Sequence, residues 1–212
     1  MKRKKYYFCA SVLLLIAFVL WTLLVSFVGL SPIGPNGSMV GLSGMNSAIK
    51  ELIGVRLTLY VITDWLGLVP IAVAFSFAIL GLCQWVKRKR IIKVDRDILL
   101  LGVFYIIVFA TYVTFEFVVI NRRPILINGY HEASYPSSTT MLVACVMPTA
   151  IMQFNSRVKR KWLKILLSIL ISFFIGFMVI GRVLSGVHWL SDIIGGFIFS
   201  AGVVIGYYGL KN

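Results

Sequence analysis

The sequence predicts an all-α membrane protein, a bundle of six transmembrane helices, and three observations lead to this fold class. Of its 212 residues, 59% are hydrophobic and only 13% are charged, whereas a soluble domain carries about 25% charged residues. The mean hydropathy is +0.94. The apolar residues are gathered in runs long enough to cross a bilayer, and the basic residues lie between alternate runs. We therefore expect a single integral membrane domain over 1–212.

Each apolar run of roughly 20 residues corresponds to one span. The predicted spans are 7–29, 61–85, 97–120, 137–154, 164–181 and 188–208. The first run is too long for the apolar part of a signal peptide, and no small-residue cleavage motif closes it. Residues 1–30 are therefore expected to form an uncleaved N-terminal transmembrane helix.

The net charge of +14 would suggest a nucleic-acid partner if the protein were soluble. The positions of the basic residues indicate a membrane protein instead. Of the 21 lysines and arginines, 16 lie before the first span or after the second, fourth and sixth, which is one side of the membrane. The positive-inside rule then places both termini in the cytoplasm. We expect a multi-pass protein of a cell membrane, with lipid rather than nucleic acid as its partner. The short connections favour a bacterial membrane.

The segment 31–60 is predicted to form an outer loop. Gly, Ser, Pro and Asn predict irregular chain over 31–55, and 47–60 is typical of an amphipathic helix with an Asn or Ser cap. This helix either borders the path by which lipid reaches the site or is a surface helix without such a role. Asp64, near the start of the second span, is either a helix cap or a site residue.

Arg182, His188 and Asp192 form the most informative motif, R-x5-H-x3-D. On a helix, Asp192 would lie one turn from His188 on the same face. A carboxylate there can hold one imidazole nitrogen and leave the other free to attack or to move a proton. The guanidinium of Arg182 suits phosphate oxygens. Ionisable residues are costly within a membrane, which indicates function.

Two further polar segments fall on the same predicted side of the membrane. Pro124 ends the third span and directs Arg123 into the outer interface. Pro136 precedes Ser137 and Ser138, where the fourth span begins, and the free amides of a helix N-terminus form a ready anion site. These segments and Arg182 predict a phosphate-binding pocket at one end of the bundle.

In chain order, these residues resemble the signature of the type 2 phosphatidic acid phosphatase family of membrane lipid phosphatases. The family pattern is K-x6-R-P, then P-S-G-H, then S-R-x5-H-x3-D. The resemblance covers residues from about 60 to 208. It implies a six-helix bundle that removes phosphate from a lipid phosphate or diphosphate of the phosphatidate, phosphatidylglycerophosphate or undecaprenyl diphosphate type.

The resemblance also implies roles for individual residues. His188 would be the nucleophile that forms a phosphohistidine, and Asp192 would orient it. Arg123, Arg182 and Ser137, with amides near Ser138, would hold the phosphoryl oxygens. The family uses no metal or other cofactor, and no metal-ligand cluster is visible in the sequence.

Three departures from the family pattern matter for the chemistry. Glu116 stands where the first block has lysine; Arg122 could replace the lost charge, and Glu116 could pair with an arginine. Gly181 replaces the serine of the third block. Thr139 replaces the histidine that acts in the family as the general acid, and threonine cannot take that role near neutral pH.

The loss of a general acid has a physical consequence. A positioned acid contributes about 10²- to 10⁴-fold. Without it, an alkoxide leaves a monoester poorly, whereas the phosphate that leaves a diphosphate is already stabilised. The sequence therefore predicts either a preference for lipid diphosphates or a substitute acid. His131, eight residues before Thr139, is either that substitute or a surface histidine.

Two alternative functions also fit the sequence. A degenerate family member would bind or move phospholipid without hydrolysing it, as Glu116 and Thr139 would suggest. A lipid phosphotransferase would pass the phosphoryl group from His188 to an acceptor other than water.

Overall fold

A computed structural model describes residues 2–211, with side chains described from Lys4, and the fold consists of α-helices. They are α1 (Lys2–Phe27), α2 (Ser43–Ile53), α3 (Leu57–Leu66), α4 (Leu68–Arg88), α5 (Arg96–Phe117), α6 (Ser138–Arg157), α7 (Lys161–Ser185) and α8 (Leu190–Lys211). Within residues 2–211 there is no β-strand, only isolated bridges. The all-α prediction is confirmed.

Five segments among the described residues are long and apolar enough to cross a membrane. They are Lys4–Phe27, Leu57–Arg88, Arg96–Phe117, Lys161–Ser185 and Leu190–Lys211. The predicted fourth span, 137–154, corresponds to α6 and does not reach this apolarity. Its inward side chains include buried Thr140, Thr149 and Gln153, because α6 packs against α4, α7 and α8. A helix enclosed by other helices can carry polar groups that find partners within the protein.

The predicted second span, 61–85, is divided into two helices. Helix α3 ends at Leu66 and α4 begins at Leu68. Pro70 lies in the first turn of α4 and has no amide hydrogen to donate to the carbonyl of residue 66, which explains the break. Asp64 consequently lies in the last turn of α3. Its interpretation as a helix N-cap is therefore wrong.

The predicted amphipathic helix over 47–60 is shorter and begins earlier. It is α2, which ends before Gly54, where φ is +69°. Leu42 occupies the N-cap position without a side-chain hydrogen bond, so the predicted Asn or Ser cap is wrong. Asn46 is instead buried, and its amide donates to the Gly41 carbonyl at 2.8 Å and to Ser191 Oγ at 2.9 Å. It therefore joins α2 to the first turn of α8.

Helix α1 packs closely along α8 because small residues line their contact. A Cβ on Gly202 would meet Leu15, one on Gly206 would lie 2.7 Å from Ser11 Oγ, and one on Gly209 would lie 2.7 Å from Tyr7. The Ser11 hydroxyl donates to the Gly202 carbonyl at 2.8 Å. Close approach of this kind is typical of helix pairs in membranes, and it fixes α8.

The turn between α7 and α8 is held against the connection between α2 and α3. Gly186 ends α7 with φ at +68°, and a Cβ there would lie 2.0 Å from the Gly54 carbonyl oxygen. The Arg56 amide donates to the Ser185 carbonyl at 3.0 Å. His188 follows two residues later, so this contact holds the turn that carries its imidazole. We call the end of the bundle that carries His188 the site end.

We expect Gly186→Ala to destabilise the protein by roughly 1–3 kcal/mol, because alanine is strained at this φ and its Cβ would displace Gly54. The measurement is thermal unfolding of the purified variants in detergent. Gly176→Ala is the matched control, since it lies within α7 and a Cβ there would meet no atom of another element within 4 Å. Equal stability of the two variants would contradict the proposed constraint.

Candidate active site

Four ionisable side chains are brought together at the site end, and each is buried. They are Arg123, Arg182, His188 and Asp192. Arg182 comes from the last turn of α7, Asp192 from the first turn of α8, and Arg123 from the segment 118–137 that joins α5 to α6. Burial of several charged groups in one place is costly unless they are paired or serve a ligand.

His188 lies in the turn before α8, so the prediction that it shares a helix with Asp192 is wrong. Its Nδ1 lies 3.2 Å from the Ser134 carbonyl oxygen and 3.8 Å from Asp192 Oδ2. Its Nε2 lies 3.1 Å from an Arg123 guanidinium nitrogen. Because guanidinium only donates, we assign Nε2 as the acceptor and Nδ1 as the protonated nitrogen. Nε2 therefore carries the lone pair that a nucleophile requires.

Burial lowers the pKa of His188 from 6.5 to about 4, and the positive charges of Arg123 and Arg182 act in the same direction. The carboxylate of Asp192 opposes this shift without reversing it. The imidazole is therefore neutral at physiological pH, the form in which its nitrogen can attack an electrophile.

Asp192 is completely buried and organises the start of α8. Its Oδ2 accepts from the Trp189 amide at 3.0 Å, and its Oδ1 accepts from Asn121 Nδ2 at 3.1 Å. An acidic side chain at the third helical position that accepts from the N-cap amide is half of a capping box. The same residue's carbonyl accepts from the Ser137 amide at 3.0 Å. Asp192 thus connects the starts of α6 and α8 and the segment 118–137.

The two arginines present hydrogen-bond donors that the described residues do not satisfy. Arg182 is 1% exposed; one of its terminal nitrogens donates to Asp64 Oδ1 at 2.9 Å and also to Thr139 Oγ1. Its Nε and its other terminal nitrogen have no hydrogen-bond partner. Arg123 Nε lies 2.9 Å from Glu132 Oε2 but does not make an aligned hydrogen bond. Buried donors of this kind require an acceptor, and an anion supplies several.

Tyr60 joins the two arginines. Its ring centroid lies 5.9 Å from the guanidinium carbon of Arg123 and 5.2 Å from that of Arg182. Cations at these distances are attracted to an aromatic face. The ring therefore helps to hold two like charges side by side, as binding of a multiply charged phosphoryl group requires.

The N-terminus of α6 also faces this pocket. Ser137 is the N-cap, and its hydroxyl accepts from the Thr140 amide at 3.5 Å and from the Thr140 hydroxyl at 3.0 Å. The structure thus engages the Ser137 side chain in the cap. By helix geometry, the amides of Ser138 and Thr139 have no acceptor within α6 and are available to an anion.

Two cavities meet at Ser138. The larger has a volume of about 550 Å³, with Asp64, Ser138 and Thr139 at its polar end and apolar side chains such as Ile71 and Phe109 along the rest. The smaller, about 20 Å³, is lined by His188 and Glu116 among others. Ser138, Thr139 and the arginine that contacts Thr139 therefore lie beside a mostly apolar cavity large enough for part of a lipid chain.

Other predicted site residues are placed differently. Glu116 is exposed and makes no ion pair among residues with described side chains, so the expected pairing with an arginine is not seen; Glu132 is the partner of Arg123. Arg122 is exposed and donates to the carbonyl of His131. The imidazole Nε2 of His131 lies 3.4 Å from Ser38 Oγ. The contacts of Arg122 and His131 thus lie within loops rather than with Arg182.

Sequence reasoning missed several groups that shape the site, namely Tyr60, Asn121, Glu132 and Ser134. Asn121 precedes the Arg122–Arg123 pair and could have been noticed, whereas Tyr60 lies in an apolar run without any signal. The structure also explains Gly181, where a Cβ would lie 2.7 Å from Thr63 Cγ2. Helix α3 packs too closely for the serine of the family pattern.

Comparison with known proteins agrees with this geometry. Residues 111–212 match the family model described as the PAP2 superfamily. The resemblance to the PAP2 superfamily is confirmed. A solved structure with the same fold is that of the first transmembrane PAP2 type phosphatidylglycerolphosphate phosphatase from Bacillus subtilis, which is 20% identical with a TM-score of 0.59 over 94% of each chain. No curated protein matches the chain. The PAP2 match begins within α5 and includes Arg123, Arg182, His188 and Asp192.

We expect His188 to remain neutral until the pH falls to about 4. The protein contains two histidines, so NMR titration of histidine-labelled protein, with His131→Ala to assign the signals, can measure this. Arg123→Gln should raise the pKa of His188, because it removes a neighbouring positive charge. Because the unfolded chain binds this proton more readily, stability should fall as pH drops from 6.5 towards 4. A pKa of His188 near 6.5 in the folded protein would contradict the assignment.

Proposed function

We propose that this protein is a membrane phosphatase that removes phosphate from a lipid phosphate or diphosphate through a phosphohistidine at His188, without a metal or other cofactor. One observation carries the proposal: Nε2 of His188, which we assign as the acceptor, lies 3.1 Å from Arg123, and Arg182 has buried donors without partners. A nucleophile beside a preorganised anion site is what phosphoryl transfer requires, since positioning and charge stabilisation supply most of its catalysis.

The first step begins when the substrate phosphoryl group binds Arg123 and Arg182. Arg123 then donates to phosphoryl oxygens in place of Nε2 of His188, which frees the Nε2 lone pair. Nε2 attacks phosphorus, the N–P bond forms, and the bond from phosphorus to the lipid oxygen breaks. The Ser134 carbonyl accepts from Nδ1 and the nearby Asp192 carboxylate stabilises the positive charge on the ring.

In the second step, water attacks the phosphohistidine and releases inorganic phosphate. The N–P bond breaks and returns the lone pair to Nε2, so His188 is again neutral. The amides of Ser138 and Thr139 and the two arginines would hold the phosphoryl oxygens in both steps. Asp192 keeps the turn that carries His188 in place through its bond to the Trp189 amide.

The apolar cavity supports a lipid substrate. Its lining comes mostly from α4, α5 and α6, and its polar end carries Asp64 and Thr139, which contact Arg182. A lipid could leave its chains among these apolar side chains while its phosphate reaches the arginines. The solved structure with the same fold is described as a phosphatidylglycerolphosphate phosphatase, which supports a lipid phosphate as the substrate class.

The charge distribution supports an extracytoplasmic site. Arg88 and Arg157 pair with Asp95 and lie at the opposite end of the helices from His188. By the positive-inside rule, that basic end faces the cytoplasm. The proposed location is a cell membrane, with the site end at the outer interface.

One observation favours a second candidate, a protein that binds phospholipid without hydrolysing it. Thr139 replaces the family's acid, and its hydroxyl is occupied by Arg182. In that case, the arginines would hold a phosphate that His188 does not attack. A phosphotransferase would share the first step and differ only in the acceptor of the second.

The decisive measurement is release of inorganic phosphate from phosphatidate and from a polyprenyl diphosphate in mixed micelles. We expect His188→Ala to lower the rate by ~10³-fold or more, because no other group replaces the nucleophile. His131→Ala is the matched control, since it removes the other histidine, whose contact is Ser38, and should retain activity. Equal rates for wild type and His188→Ala would remove the phosphatase proposal in favour of lipid binding.

A further inference from the structure

We propose that Asp64 transfers the proton to and from the leaving-group side of the reaction, the role that Thr139 cannot perform. This inference rests on the proposed phosphatase function and extends it to a residue outside the family motifs. It accounts for the substitute acid that the loss of histidine at position 139 requires.

Asp64 lies beside position 139, where the family has its acid. A single terminal nitrogen of Arg182 donates both to Asp64 Oδ1, at 2.9 Å, and to Thr139 Oγ1. Two acceptors that share one donor nitrogen must be near neighbours. The carboxylate of Asp64, on α3, therefore stands beside the side chain at position 139, on α6, although the two residues are far apart in the chain.

In the chain of contacts within the site, the two arginines stand between Asp64 and His188. His188 contacts Arg123, Arg123 and Arg182 both contact the ring of Tyr60, and Arg182 contacts Asp64. A phosphoryl group between the two arginines would therefore have His188 on one side and Asp64 on the other. In-line displacement places the leaving oxygen on the side opposite the attacking nitrogen.

The larger of the two cavities that meet at Ser138 also indicates that the leaving group lies on the side of Asp64. Asp64, Ser138 and Thr139 form its polar end, and most of the remainder is lined by apolar side chains of α4, α5 and α6. A leaving group that carries a lipid chain would occupy this cavity, so its oxygen would emerge next to Asp64. The Asp64 side chain is 55% exposed, and it can therefore move from Arg182 towards a bound substrate.

The other carboxylates near the site do not meet these conditions. Asp192 is completely buried and engaged by Trp189 and Asn121. Glu132 lies on Arg123, the arginine that contacts His188, and Glu116 lines the small cavity with His188. Among the described residues that line or contact the site, Asp64 is the carboxylate on the leaving-group side.

The proton balance of both steps is complete with Asp64. A phosphate monoester monoanion carries one P–OH proton, which Asp64 can accept and pass to the leaving oxygen as the bond from phosphorus to that oxygen breaks. In the second step, the Asp64 carboxylate can take a proton from the attacking water and return it to the phosphate that is released. Carboxylates perform both roles in other hydrolases.

The test is Asp64→Asn, because asparagine keeps a carbonyl oxygen for Arg182 but cannot transfer the proton. Substrates that differ in their need for an acid separate the two roles. For phosphatidate, whose alkoxide leaves poorly, we expect kcat to fall by ~10²-fold. For p-nitrophenyl phosphate and a polyprenyl diphosphate, whose leaving groups are already stabilised, we expect less than about a fivefold change. The wild type should cleave all three.

Glu132→Gln is the matched control, because it removes the carboxylate that pairs with the other arginine. It should affect the three substrates to the same extent. Asp64→Asn with Thr139→His should recover hydrolysis of phosphatidate, since it restores the family's acid, and thermal unfolding of each variant checks that it is folded.

An equal loss on all three substrates would show that Asp64 only positions Arg182, and full activity of Asp64→Asn on phosphatidate would show that it has no role; either result overturns the inference. These results leave the proposed function intact as long as His188→Ala abolishes phosphate release. A wild-type protein that releases no phosphate from any substrate would overturn both proposals.

Discussion

The buried carboxylate of Asp192 is the constraint on which the site depends. It accepts from the Trp189 amide and from the Asn121 side chain, while the carbonyl of the same residue accepts from the Ser137 amide. These bonds bring the starts of α6 and α8 and the segment 118–137 to one point. His188 and the start of α6 take their positions from this junction. Without these hydrogen bonds, less would offset the cost of bringing the charged groups together inside an apolar bundle.

The arrangement of the arginines follows from the cost of burying charge. Arg182 is almost completely buried, and its compensation comes from the half-exposed carboxylate of Asp64 and from the face of Tyr60. Arg123 is compensated in the same way by Glu132 and Tyr60. Each cation thus has one carboxylate partner and retains unsatisfied donors. A phosphoryl group can add to these cations without first displacing every existing contact, since a guanidinium offers several donors in one plane.

The two ends of the bundle carry different groups of polar residues. At the site end, close packing around Gly186 and the first turn of α8 holds the turn that carries His188. At the opposite end, Arg157 pairs with Asp97, and Lys211 donates to the Met152 carbonyl. Helix α6 connects the two ends through the centre and carries buried polar side chains such as Gln153. The membrane-facing helices can therefore remain apolar while the enclosed helix supplies Ser138 and Thr139 to the site.

The sequence by itself determined the fold class, the approximate helix positions and the residues Arg123, Arg182, His188 and Asp192, because apolar runs and motif spacing are local properties of a chain. Tertiary structure decided the rest. The break at Pro70 placed Asp64 in the last turn of α3, and the packing of α3 against α7 then brought Asp64 and Tyr60 to Arg182. Neither Asp64 nor Tyr60 belongs to a sequence motif, and both lie more than 110 positions from Arg182 in the chain. Contacts between such distant residues depend on how helices pack, which the spacing of residues along one segment does not encode.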